Sequence, residues 1–122
     1  MALTYFKQSE WNCPDGTDSC MSQDFIKKLD EARGIAGVQF VINPKAGGSA
    51  YRTPEHNEAV GGVKDSAHTK GLAVDIRVQN SYERYRILMS LIKVGFNRIG
   101  IADTFIHVDD DTTKDPEVIW MY

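Results

Sequence analysis

The chain has 122 residues, a formal charge of −3, 42% apolar and 25% charged residues, the composition of one globular domain rather than of a disordered or fibrous chain. Its Lys and Arg residues are scattered instead of gathered into a basic stripe, which argues against a nucleic-acid partner. No apolar run approaches the ~20 residues needed to cross a bilayer, so membrane insertion is not expected.

The first segment, MALTYFKQSEW, has no basic stretch followed by a long apolar one, and no signal peptide is read there. Cys13 and Cys20 flank Pro14-Asp15-Gly16. That spacing suits either a disulfide-stapled turn or two free thiols. The cysteines lack the Cys-x-x-Cys spacing and neighbouring histidine of a zinc site. Ser22 suits the N-cap of a helix running to about Arg33, with Phe25, Ile26, Leu29 and Ala32 on one face and Gly34 placed to end it. Residues 38–42, VQFVI, read as a short strand, and NPKAGG as a loop. A short second helix is signalled by Thr53 as cap, Pro54 at the first helical position and Gly61 beyond the last turn.

In LAVDIRV (72–78), Ala73, Asp75 and Arg77 alternate with Leu72, Val74, Ile76 and Val78, as in a strand with one buried face. Gly71 allows the chain to turn so that His68 can return toward Asp75. Ser81 is placed to cap a further helix with an apolar stripe of Tyr85, Leu88, Met89 and Ile92, ending at Gly95. NRIGIA (97–102) and TFIHVD (104–109) are two more strands. In the second, Phe105, His107 and Asp109 share the face opposite Ile106 and Val108. Asp109, Asp110 and Asp111 form a short acidic run that reads as a solvated strand end, Asp109 less so than the other two. EVIWMY (117–122) reads as a closing strand. These elements make one α+β domain spanning residues 1–122, with no internal repeat and no Gly-rich phosphate loop.

The chemistry concentrates in SAHTKGLAVD (66–75) and FIHVD (105–109), in a chain with only three histidines. His68, Asp75 and His107 supply two imidazoles and one carboxylate. This is a ligand set for Zn²⁺ that leaves a position open for water, as a hydrolytic metal site requires. The third histidine, His56, falls on the short helix and reads as a surface or groove residue.

These residues resemble the zinc D-Ala-D-Ala carboxypeptidases, including the VanY-like enzymes and the small phage and bacterial murein endopeptidases that share their fold with the Hedgehog signalling domain. The family pattern Ser-x-His-x-x-x-x-x-x-Asp, followed much later by His-x-Asp, is met by Ser66, His68 and Asp75, then His107 and Asp109. A preceding family segment, close to Ser-Gly-Tyr-Arg-x-x-x-x-Asn with a following Gly-Gly, is met by Ser49, Tyr51, Arg52, Asn57, Gly61 and Gly62, with Ala50 in place of the usual glycine. The Phe-Lys-x-x-Glu-Trp start, the SQDFIKKLDEAR helix, the GFNRIGI strand entry and a late Trp follow in family order, so the likeness covers nearly the whole chain.

The resemblance implies a Hedgehog/DD-peptidase-like fold, with a small mainly antiparallel sheet and helices around one zinc held by His68, Asp75 and His107. It implies a peptidase acting on the stem peptide of peptidoglycan. The zinc would lower the pKa of bound water and polarise the scissile carbonyl, while a carboxylate accepts the water's proton and passes it to the leaving amine. In several relatives that carboxylate stands three residues before the second zinc histidine, where this chain has Thr104. Asp109 is the first substitute and Asp103 the second, and Asp109 has the alternative role of orienting His107. Arg52 matches the family arginine that meets a substrate carboxylate or the developing oxyanion. Tyr51, Ser66 and Asn57 are the remaining substrate-side candidates.

Small size and the absence of a visible signal favour an endopeptidase cutting L-Ala-D-Glu or a cross-link. Such a protein would be bacterial or phage, made in the cytoplasm and acting on the wall after release or export. A D-Ala-D-Ala carboxypeptidase and a non-catalytic, zinc-stabilised wall-binding module are the alternatives. Nothing in the sequence requires an oligomer, and a monomer is expected.

Overall fold

The computed structural model describes residues 22–42 and 71–122. The short helix expected near residues 53–61, the two cysteines, His56 and the loop at 43–48 lie outside them. Helix α1 (Gln23–Ala36) starts where expected, with the Ser22 hydroxyl accepting the Phe25 amide. It runs past Gly34 and stops at Gly37, whose φ of 70° is the left-handed conformation that a helix C-terminus commonly uses. The end expected at Gly34 is therefore three residues early. One interior glycine costs a helix only about 1 kcal/mol, and Ala36, fully buried two residues later, favours its continuation.

Strand β1 (Ala73–Arg77) leads to helix α2 (Ser81–Lys93), then to β2 (Arg98–Ile101), β3 (Phe105–Asp109) and β4 (Val118–Met121). The N-cap of α2 is Asn80 rather than Ser81. Its side chain accepts the Glu83 amide, and Glu83 reaches back to the Gln79 amide in a variant of the capping box. The strands lie in the order β1-β3-β2-β4, with β3 antiparallel to both neighbours and β4 parallel to β2. The mainly antiparallel α+β arrangement thus ends in one parallel edge strand. Residues 38–42 do not join the sheet as a strand, although the Val41 carbonyl accepts the Arg77 amide. Phe40 and Ile42 nevertheless enter the core.

Alternation in the strands separates two faces. Val74, Ile76, Ile99, Ile106 and Val108 pack against Phe25, Ile26 and Leu29 of α1 and Ile87 and Leu91 of α2. The buried stripe of α2 is Ile87, Ser90 and Leu91, while Tyr85 and Ile92 are exposed and Leu88 packs at its margin. The expected Tyr85–Ile92 stripe therefore lies about one residue away from the helix face that docks. Ser90 can sit in that apolar interface because its hydroxyl donates to the Ile87 carbonyl. The opposite sheet face carries Asp75, Arg98, Gly100, His107, Asp109 and Trp120, and it bears the chemistry.

Candidate metal centre

Sheet register assembles this face. Asp75 is the cross-strand partner of His107, His107 of Gly100, and Gly100 of Trp120, so these four residues form one row across β1, β3, β2 and β4. In that row His107 Nδ1 lies 2.9 Å from Asp75 Oδ1. On the other edge of the ring, Nε2 lies 2.7 Å from Asp109 Oδ2, two residues along the same strand. The imidazole is thus held between two carboxylates. His107 is 7% exposed, Asp109 2% and the Asp75 side chain 20%, so Asp75 marks the open side of the array.

Asp109 is engaged through both oxygens. Its Oδ1 accepts from Arg98 Nε at 2.7 Å and from the Asp111 amide at 3.1 Å, while Oδ2 meets His107. Burial alone would raise the Asp109 pKa, but the His107 bond, the Asp111 amide and Arg98 outweigh it and hold the carboxyl below its ordinary value. For His107, burial pulls the pKa down, and the hydrogen bonds and charges of Asp109 and Asp75 more than reverse that, leaving it raised. Without a metal, the arrangement therefore favours an imidazolium donating to both neighbours.

The acidic run is not a solvated strand end. Asp111 is 1% exposed and accepts from the Thr113 amide and hydroxyl and from Lys114, which folds the turn after β3. Asp110 is half-buried and pairs with Lys28 of α1. Asp103 lies in the exposed turn between β2 and β3, where its carbonyl accepts from Arg84. Thr104, in the same turn, offers its carbonyl to the Val78 amide. His68, Tyr51, Arg52, Asn57 and Ser66 lie outside the described residues.

Three neighbours of the site were not singled out from the sequence as functional. The first is Arg98. The second is Gly100, where an added Cβ would fall 2.5 Å from the Trp120 indole nitrogen. The third is Trp120, which crosses the bare Gly100 backbone to bring its ring within 5.5 Å of the His107 ring. One signal was visible: in NRIGIA, Arg98 and Gly100 alternate with Ile99 and Ile101 and so leave the buried face.

Among the described residues no group of three or more His, Cys, Asp and Glu side chains could hold a metal ion. The geometry explains this, because Asp75 and Asp109 bind opposite edges of one imidazole and cannot converge on a single point. The pair that could contribute to a cation site is His107 Nδ1 with the Asp75 carboxylate, 2.9 Å apart. Asp109, on Nε2, would then match the outer carboxylate that metal-bound histidines usually carry, which fixes the tautomer and the ring orientation. The donor chemistry suits Zn²⁺, with one further ligand required from elsewhere in the chain.

A cavity of about 600 Å³ opens beside the site, lined by Phe25, Lys28, Arg98, Asp110, Lys114 and Pro116 among others. It meets the His107 array through Arg98. No helix among the described residues is long and apolar enough to cross a membrane.

No curated protein and no solved structure matches the chain significantly. The model of one family, described as Peptidase M15, matches residues 4–109 and so takes in both histidine motifs and every strand but the last. The chain belongs to the Peptidase M15 family, and with it to the peptidoglycan-related hydrolases.

Proposed function

We propose that the protein is a zinc-dependent peptidase that hydrolyses an amide bond in the murein stem peptide, acting as an endopeptidase on L-Ala-D-Glu or on a cross-link. The observation that carries this reading is the His107 imidazole, with one nitrogen turned to Asp75 on the open side and the other fixed by buried Asp109. His68, Asp75 and His107 would hold the zinc, which when bound supplies an acidified water and polarisation of the carbonyl. The protein's own side chains then have separate tasks.

Asp109 holds the proton on Nε2 and so presents Nδ1 as the donor nitrogen. Both its oxygens are occupied and its pKa is depressed, which suits a group that stays ionised and orients its neighbour rather than one that takes up a proton. Proton acceptance falls to another carboxylate, and of the two read from the sequence Asp103 is the one with an exposed side chain. Arg52, with Tyr51, Ser66 and Asn57, would meet the peptide and the developing oxyanion.

The rival readings are a D-Ala-D-Ala carboxypeptidase and a zinc-stabilised wall-binding module. Mapping of products from defined stem peptides by mass spectrometry separates the readings. Cleavage within the L-Ala-D-Glu bond or a cross-link supports the endopeptidase, and release of terminal D-Ala alone replaces it with the carboxypeptidase. Binding without cleavage by folded, zinc-loaded protein supports instead a zinc-stabilised wall-binding module.

A further inference from the structure

Arg98 occupies the centre of a closed circuit of contacts. Its Nε donates to Asp109 Oδ1 at 2.7 Å, and Asp109 Oδ2 meets His107 Nε2 at 2.7 Å. The His107 ring lies 5.5 Å from the Trp120 ring, and the Trp120 ring lies 5.2 Å from the Arg98 guanidinium carbon. Arg98 Nη1 also donates to the Asp115 carbonyl, tying the circuit to the turn between β3 and β4. The side chain is 12% exposed, so these contacts form largely out of water.

We propose that Arg98 is the positioning residue of the metal centre, fixing the His107 imidazole from both sides, through Asp109 on one edge and through Trp120 on its flank. The guanidinium suits this double task because it is a planar fork that pairs with a carboxylate while stacking on an aromatic face. Gly100 makes the second arm possible, since any larger residue there would occupy the path of the indole. With Asp109 unable to swing away, Nε2 keeps its acceptor and Nδ1 stays directed at Asp75. The inference rests on the zinc reading for its consequence in metal affinity, but the restraint on His107 belongs to the protein with or without metal.

The test compares the wild-type chain with Arg98→Lys and Arg98→Met. Zinc affinity is measured by chelator competition, and the His107 ring is followed by ¹⁵N NMR in the metal-free proteins, with circular dichroism as the check on folding. Loss of a partner that orients a ligand lowers metal affinity about 10–100-fold, and that range is expected for Arg98→Met. Arg98→Lys, which keeps the charge but loses the fork and the stacking face, should give a smaller loss of several-fold. In both variants the His107 ring signals should shift or broaden without metal. Folded variants with wild-type zinc affinity and unchanged His107 signals would overturn the proposal, even if they melt at lower temperature, because that result describes a structural ion pair alone. Should Arg98→Met fail to fold, Arg98→Lys decides, and wild-type behaviour in it overturns the double-arm role. Wild-type protein that binds no zinc would refute the metal reading, while the metal-free His107 signals would still decide the role of Arg98.

Discussion

His107 and Asp75 face each other as direct cross-strand partners, with Nδ1 of one 2.9 Å from a carboxylate oxygen of the other. Two residues 32 positions apart in sequence are thus brought together by strand register alone. A one-residue slip of β1 against β3 would turn Asp75 toward the helices, but Val74, Ile76, Ile106 and Val108, all fully buried, prevent that slip. Asp75→Ala and His107→Ala should each reduce zinc affinity by at least two orders of magnitude while leaving the helical signal intact. Equilibrium dialysis followed by metal analysis would check this, and retention of one tightly held zinc by either variant would remove it from the ligand set.

Replacement of Asp109 tests its orienting role against a role in proton transfer. Asp109→Asn leaves the mostly buried Arg98 without its anion, and breaking a buried ion pair on one side costs about 3–5 kcal/mol. Urea denaturation should show a loss of that order. Activity should fall about 10–100-fold, as for an outer carboxylate behind a metal-bound histidine. Asp103→Asn should leave stability unchanged and reduce kcat about 10²–10⁴-fold, the contribution of a general base. A full-activity Asp103→Asn protein would return the base role to Asp109 or place it elsewhere in the chain.

Gly100→Ala inserts a methyl group where the indole of Trp120 already lies. Strand geometry itself tolerates alanine, so the cost comes from overpacking, about 1–3 kcal/mol. The variant should melt lower and show altered fluorescence from Trp120, read in a Trp11→Phe background so that one tryptophan remains. An unchanged melting temperature and spectrum would mean that the indole does not rest on Gly100 in solution.

The pH response follows from the signs of two shifts. The folded pKa of His107 lies above 6.5 because, although burial lowers it, Asp109 and Asp75 favour the charged ring more strongly. Its contribution to metal-free stability is complete below the unfolded value and is lost as pH rises through the folded one. Asp109 behaves oppositely. Burial raises its pKa, but His107, the Asp111 amide and Arg98 bring the balance below 3.8, so its contribution is present above that value and lost as pH falls through the depressed one. Metal-free protein should therefore be most stable between about pH 4 and 6.5, as urea midpoints across pH would reveal. Zinc requires the Nδ1 proton to leave, so its affinity should increase with pH until the raised His107 value is passed. PH-independent affinity between 6 and 8 would contradict that coupling.

Local chemistry in the sequence was enough to recognise α1, the four strands and the outward face of Asp75, His107 and Asp109, because caps and two-residue alternation leave direct traces. The extent of α1 was less legible, since Gly34 and Gly37 look alike until burial of Ala36 keeps the first inside the helix. The core face of α2 was displaced because Tyr85 and Ile92 are apolar, yet docking angle, not composition, decides which stripe is covered. Asp111 reads as part of a solvated run, and only the tertiary fold supplies the Thr113 and Lys114 partners that make its burial tolerable, as Arg98 and His107 do for Asp109. Arg98 and Trp120 are not legible as site residues for a related reason. The parallel pairing of β4 with β2 sets Trp120 beside Gly100, and no local pattern announces that pairing.

The most direct single measurement is the digestion of purified peptidoglycan by the chain stripped of metal and then restored with one equivalent of Zn²⁺, with Asp75→Ala carried through the same cycle. New amine and carboxylate ends should be absent from the stripped protein, return with zinc, and stay absent in the variant. Cleavage that persists without metal, or a folded, zinc-restored wild-type protein that releases no new ends, would contradict zinc-dependent hydrolysis of the murein stem at this site.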